Sequence, residues 1–135
     1  MKSKFLLFFM LSVFLFGCQG SIKPEKLYGD WKYVKVENLD KNQEEDNISD
    51  AELAEQNPSI HFSPDKKLQI IWGGKVLSEG TFRLEGNMIR YKENLPGGTT
   101  REFPFLVKKL DDKELVFETM SRQGTRVTAK RAVSL

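Results

Sequence analysis

The chain carries one thiol and one imidazole, so nucleophilic and metal chemistry have few places to reside. Cys18 is the thiol, a side chain that can be oxidised, metallated or acylated. His61 is the imidazole; it lies between Ile60 and Phe62, and strand alternation turns it away from both, toward an exposed face or a rim. A single histidine without a neighbouring cysteine falls short of a zinc ligand set, and no Ser-His-Asp arrangement is spaced around it. The paired carboxylates Glu44-Glu45 and Asp111-Asp112 sit among loop and turn residues, where solvated charge is expected. Gly73-Gly74 and Gly97-Gly98 lack the strand-to-helix setting of a phosphate cradle. These residue types give no support to an enzyme and imply no cofactor or metal.

One pairing of residue types does carry information. Val127, Ala129, Arg131 and Val133 share a face of the last expected strand. A guanidinium in phase with an apolar set needs a partner, and the face of a tryptophan supplies one by cation–π contact. Gly29-Asp30-Trp31 opens the first expected strand, so Trp31 and Arg131 would meet if the first and last strands pair.

The elements that must position these residues are strands. Apolar-alternating runs separated by turn chemistry recur at 30–37, 59–62, 67–72, 75–84, 88–93, 101–110, 114–120 and 125–133. The clearest alternation puts Val76, Ser78, Gly80, Phe82 and Leu84 on one face, with Leu77, Glu79, Thr81 and Arg83 on the other. Ser63-Pro64-Asp65-Lys66 and Gly73-Gly74 read as turns. Pro104 implies an edge or a bulge in the sixth run. Ser49-Asp50-Ala51-Glu52 is a capping box for a short helix in the first connection, stopped by Asn57-Pro58. Eight consecutive antiparallel strands leave two open edges unless they close, so an all-β, eight-stranded antiparallel up-and-down barrel is expected.

Ahead of this domain lies a different kind of segment. Lys2 and Lys4 precede an apolar run over 5–13 broken only by Ser12, shorter than the ~20 residues that span a membrane. Leu15-Phe16-Gly17-Cys18 resembles the lipobox of bacterial lipoproteins, with Phe16 where a small residue is usual. That resemblance implies an N-terminal signal peptide over 1–17, cleavage after Gly17 and acylation of Cys18, anchoring the protein to a membrane. Residues 18–28 are then the acylated cysteine and a short polar tether, and 29–135 the barrel domain. Gln19 replaces the aspartate that retains some lipoproteins at the inner membrane, which implies the outer membrane, facing the periplasm.

Cleavage changes the charge. The 21 basic and 19 acidic side chains become balanced once Lys2 and Lys4 are lost, which argues against nucleic acid as a partner. With the only thiol acylated, no disulfide is available and the core must hold the fold alone. Charge is uneven all the same: the segment 37–55 has eight acidic residues against Lys41, and from Arg101 onward eight basic face five acidic ones.

Gly-x-Trp at 29–31 with Arg131, together with the runs 27–34, 60–66, 79–87 and 106–115, is similar to the small bacterial lipocalin-like lipoproteins. The resemblance implies that Gly29, Trp31 and Arg131 close the barrel floor without touching ligand, and that the acidic loop over 39–57 is a lid. It also implies a small hydrophobic or amphipathic ligand in the open end. Tyr33, Trp72, Arg90, Tyr91 and Phe103 are the candidate ligand contacts, with Arg90 as the candidate for an anion. The many aromatics could equally fill the interior. The alternative is then a non-enzymatic interaction module with a plugged barrel, an envelope-assembly accessory or an inhibitor or immunity protein, meeting a protein partner through the 37–55 segment or the 95–100 loop.

Overall fold

The computed structural model describes residues 21–40, 47–120 and 124–132. Residues 1–17, Cys18 and Val133 lie outside them. The strands are β1 (Gly29–Asn38), β2 (Ser59–Phe62), β3 (Lys67–Trp72), β4 (Lys75–Glu85), β5 (Met88–Asn94), β6 (Thr100–Leu110), β7 (Glu114–Thr119) and β8 (Thr125–Arg131). Each pairs antiparallel with the next, and β1 pairs with β8, so the sheet is a closed barrel in sequence order. The one α-helix among the described residues, α1 (Asp50–Gln56), follows β1. Its Ser49 hydroxyl accepts from the Glu52 amide at 3.1 Å, and Asn57 ends it in a left-handed conformation. No helix among the described residues is long and apolar enough to cross a membrane.

Three bulges give the barrel its curvature. The registers on either side leave Val34 on β1, Leu77 on β4 and Lys108 on β6 without a partner residue. The Leu77 bulge corrects the expected faces of β4. Ser78, Gly80, Phe82 and Leu84 do face inward, but Val76 lies beyond the phase change and is 51% exposed. At Gly80 an added Cβ would stand 1.9 Å from the Lys92 carbonyl oxygen, so β4 and β5 approach there as only glycine allows. Pro104 is accommodated differently from the bulge expected at its own position. The Val107 amide bonds Asn87 on the β5 side, so alternate residues such as 104 turn their amide positions toward β7. The β6–β7 ladder ends at Phe105 and Thr119, one residue before the missing donor would be needed.

The interior is aromatic and continuous. Trp31, Phe62, Leu68, Ile89, Tyr91, Leu115 and Ala129 are fully buried, and ring pairs run from Tyr33 to Phe117, Phe105, Phe103 and Tyr91 with centroids 5.0–6.2 Å apart. At the floor, the turns after β2, β4 and β6 meet the N-terminal segment, where a 3₁₀ turn (Pro24–Lys26) lies and the Ile22 amide donates to Gly86 O at 3.3 Å. At the mouth, α1, the connections after β3 and β5 and the end of β7 gather. Here the apolar side chains of Val76, Leu77 and Met120 are more than half exposed.

Candidate functional site

Two constellations occupy the two ends of the barrel. At the floor, the cross-strand pair of Trp31 and Arg131 puts the guanidinium 4.2 Å from the indole ring centroid. Arg131 donates to three backbone carbonyls, those of Lys26 (2.7 Å), Tyr28 (2.8 Å) and Asp112 (3.0 Å). Trp31 Nε1 donates to Leu27 O at 2.8 Å. Gly29 has φ of +119°, and a Cβ on it would stand 3.1 Å from the guanidinium. The N-terminal segment is thus tied across the barrel end by one arginine and one indole. These three residues lie together, below the aromatic interior and remote from the mouth.

Toward the mouth, alternation turns Tyr33, Trp72, Tyr91 and Phe103 into the barrel, and the structure brings these four to its upper interior. Arg90 is not brought to them. Ile89 and Tyr91 take the inward positions of β5, so Arg90 stands on the outer wall, where it donates to Glu85 at 3.1 Å. That contact, with Arg83 alongside, holds the Glu85 carboxyl below its usual range.

A polar chain runs through the same upper region. Glu93 shares the inward phase of Tyr91, its side chain is only 12% exposed, and Arg101 on β6 bonds it at 2.7 Å. Ser78 Oγ donates to Glu93 Oε2 and lies 2.7 Å from the Tyr91 hydroxyl. Arg101 itself rides 5.3 Å above the Phe103 ring. Burial pushes the Tyr91 phenol up, more than the Ser78 bond lowers it, and the charges of Glu93 and Glu79 add to the rise.

Tyr33 is the exception to this satisfied chain. The residue is 6% exposed, yet its hydroxyl has no hydrogen-bond partner among the described residues. No fully enclosed side-chain oxygen or nitrogen among them is unpaired, so this hydroxyl must touch space that water can enter. Burial pushes the Tyr33 phenol well above its usual range, and Tyr91 adds to the rise. Compared with known proteins, the chain matches no family model and no curated protein.

The site's cover is the described part of the 39–57 segment, whose residues 41–46 lie outside the described residues. Leu53 of α1 is 5% exposed and joins the barrel core, and Gly73 of the β3–β4 turn donates to Gln56 O at 2.8 Å. Beside it, a cleft of about 350 Å³ opens at the rim between Arg101, Phe103, Pro104, Thr119 and Met120. A second cleft lies on the outer wall, where His61 bonds Asp30 at 2.7 Å and Gln69 donates to Glu79 at 3.3 Å. Among the described residues no three His, Cys, Asp or Glu side chains converge as a metal site would require.

Ser78, Glu93, Arg101 and Leu53 were not expected at this site. The signal for the two charges was present: Glu93 is in phase with Tyr91, and Arg101 with Phe103 and Phe105. A charge in phase with an apolar set marks an interior partner, as it does for Arg131.

Proposed function

We propose that this chain is a lipid-anchored protein of the bacterial envelope whose lipocalin-like barrel binds one small hydrophobic or amphipathic ligand through its mouth. The observation that carries the binding reading is Tyr33, a buried phenol whose hydroxyl is unpaired and open to space beneath a helical cover. A hydroxyl that borders space water can enter offers an entering ligand a polar contact in place of that water. The floor clamp of Trp31 and Arg131 supports it further, because a barrel sealed at one end offers a single way in. The test is saturable binding of the neutral fluorophore N-phenyl-1-naphthylamine by the full chain. A Trp72→Ala, Tyr91→Ala pair of variants should each weaken it, and an Arg90→Ala variant should not.

The anchoring reading rests on Leu15-Phe16-Gly17-Cys18 and on the short tether between Cys18 and the barrel. It assigns residues 1–17 to a cleaved signal peptide and the mature protein to the outer membrane, facing the periplasm. Intact-mass analysis from a bacterial host tests it: loss of residues 1–17 with a gain of acyl chains supports the anchor, and an unmodified Cys18 overturns it.

A second reading has its own observation. Val76 and Leu77 are 51% and 67% exposed at the rim, beside the aromatic packing that could plug the barrel. An interaction module would use that edge on a protein partner. It predicts no probe binding and a loss of the partner on Leu77→Asp.

A further inference from the structure

A cleft of about 500 Å³ lies at the floor, beside the point where the tether meets the barrel. One bank is Ile22, Lys23 and Lys26 of the N-terminal segment, and the other is Leu110, Asp111 and Asp112 at the β6–β7 turn. Arg131 ties the two banks together, donating to Lys26 O at 2.7 Å and to Asp112 O at 3.0 Å. Each bank is also closed on itself. The Lys26 amide donates to Lys23 O at 3.0 Å, and the Asp111 carboxylate accepts from the amides of Lys113 and Glu114. Hydrogen-bonded backbone therefore sets the shape of the cleft. Its charges are only partly spent. Lys26 Nζ bonds Asp112 Oδ1 at 3.2 Å, which leaves one cation, Lys23, and one acceptor, Asp112 Oδ2, without a partner among the described residues. Ile22 and Leu110, partly buried against the core, add an apolar edge.

We propose that this cleft receives the headgroup of a bilayer phospholipid that carries a primary ammonium, with the phosphate at Lys23 and the ammonium at Asp112. This rests on the anchoring reading above, which puts lipid within reach: only residues 19–21 lie between Ile22 and Cys18. The free groups are one of each sign, so a zwitterionic head pairs both and leaves the cleft neutral. A choline head carries the same charges but has no N–H for Asp112 Oδ2. A glycerol head donates a hydroxyl but brings no cation, and its net negative charge lies beside Asp111 and Asp112. The apolar edge at Ile22 and Leu110 favours the lipid over free phosphoethanolamine.

The test uses the full chain in an uncharged detergent, where amide NMR shifts at Ile22, Lys26 and Asp112 report occupancy of the cleft. The titrants are the dihexanoyl forms of phosphatidylethanolamine, phosphatidylcholine and phosphatidylglycerol, and phosphoethanolamine itself. The ethanolamine lipid should bind about threefold more tightly than the other two, the scale of one exposed ion pair. Lys23→Ala should weaken all three lipids by a similar factor. Asp112→Asn should abolish the preference among heads, and it leaves the floor clamp whole because Arg131 bonds the Asp112 backbone carbonyl. Equal binding of the three lipids, or shifts that spare the cleft, overturns the headgroup assignment. Phosphoethanolamine binding as tightly as its lipid overturns the bilayer as the source. The intact mass of the same preparation reports on Cys18 separately: an unmodified thiol overturns the anchoring reading, whereas the head preference stands or falls on the titration.

Discussion

Arg131 spans the barrel floor with its guanidinium over Trp31, 4.2 Å from the ring centroid, and all three of its hydrogen bonds end on backbone carbonyls. A planar fork with several donors suits that task, and an ammonium does not. Arg131→Ala should destabilise the fold by about 3 kcal/mol through loss of the cation–π contact and of charge-assisted bonds. Arg131→Lys should recover less than half of it. Urea unfolding at neutral pH measures both. Because no carboxylate takes part, the loss should be nearly the same at low and high salt.

Glycines at two positions should behave oppositely under substitution. Gly80→Ala sets a methyl group 1.9 Å from the Lys92 carbonyl, in backbone that cannot step aside, so folded yield should collapse. Gly74 has φ of +77° with nothing near it, and Gly74→Ala should cost only about 1 kcal/mol of conformational strain. Soluble yield and thermal unfolding separate the two, and a stable Gly80→Ala protein would contradict the close approach of β4 and β5 at Gly80.

Stability should fall on the alkaline side through Tyr33 and Tyr91. Burial raises both phenols, so the folded chain keeps protons that the unfolded chain releases above pH about 10. Their contribution is complete below that pH and is lost as pH rises through the folded values, at about 1.4 kcal/mol per pH unit for each tyrosine. Tyr33→Phe should flatten the decline, as read by denaturant midpoints between pH 9 and 11.

On the acid side, Asp111 gives the opposite dependence. Its carboxylate accepts from the amides of Lys113 (2.9 Å) and Glu114 (2.8 Å), which holds its carboxyl below the usual range. The stabilisation is present above the unfolded value of about 4 and disappears as pH falls through the folded one. The unaltered protein and Asp111→Ala should therefore differ at neutral pH and converge in acid.

The helical cover should be severable from the barrel. α1 has seven residues, too few to persist alone, and its one buried side chain is Leu53. Leu53→Ala should cost about 2–3 kcal/mol and raise the rate at which a hydrophobic reporter enters. Amide exchange at Leu53 and Asn57, whose amides close the helix, should quicken while that of Tyr91 in the barrel wall does not.

Much of this barrel was legible because strands with one buried face write their phase into the sequence. Phe82 and Leu84, Ile89 and Tyr91, Val127 and Ala129 all keep it. What failed to show was set by backbone, not by side-chain type. The bulge at Leu77 shifts the phase of β4 and leaves Val76, which alternation grouped with Phe82, outside, and the bulge at Val34 shifts β1 so that Val36 packs against the core. Arg90 looked available to a ligand until the inward claims of its two neighbours sent it to Glu85. The Ser78–Glu93–Arg101 chain spans three neighbouring strands, and only the registers of β4 with β5 and of β5 with β6 bring its members together.

The bond from the Ile22 amide to Gly86 fixes where the tether leaves the barrel, and it leaves at the floor. Three residues lie between Cys18 and Ile22, a reach over four Cα steps of at most ~14 Å. With Cys18 acylated as proposed, the sealed end would rest close to the lipid headgroups and the mouth would look out into water. Cargo would then be exchanged with the aqueous compartment or with whatever crosses it, and not drawn sideways from the bilayer that holds the protein.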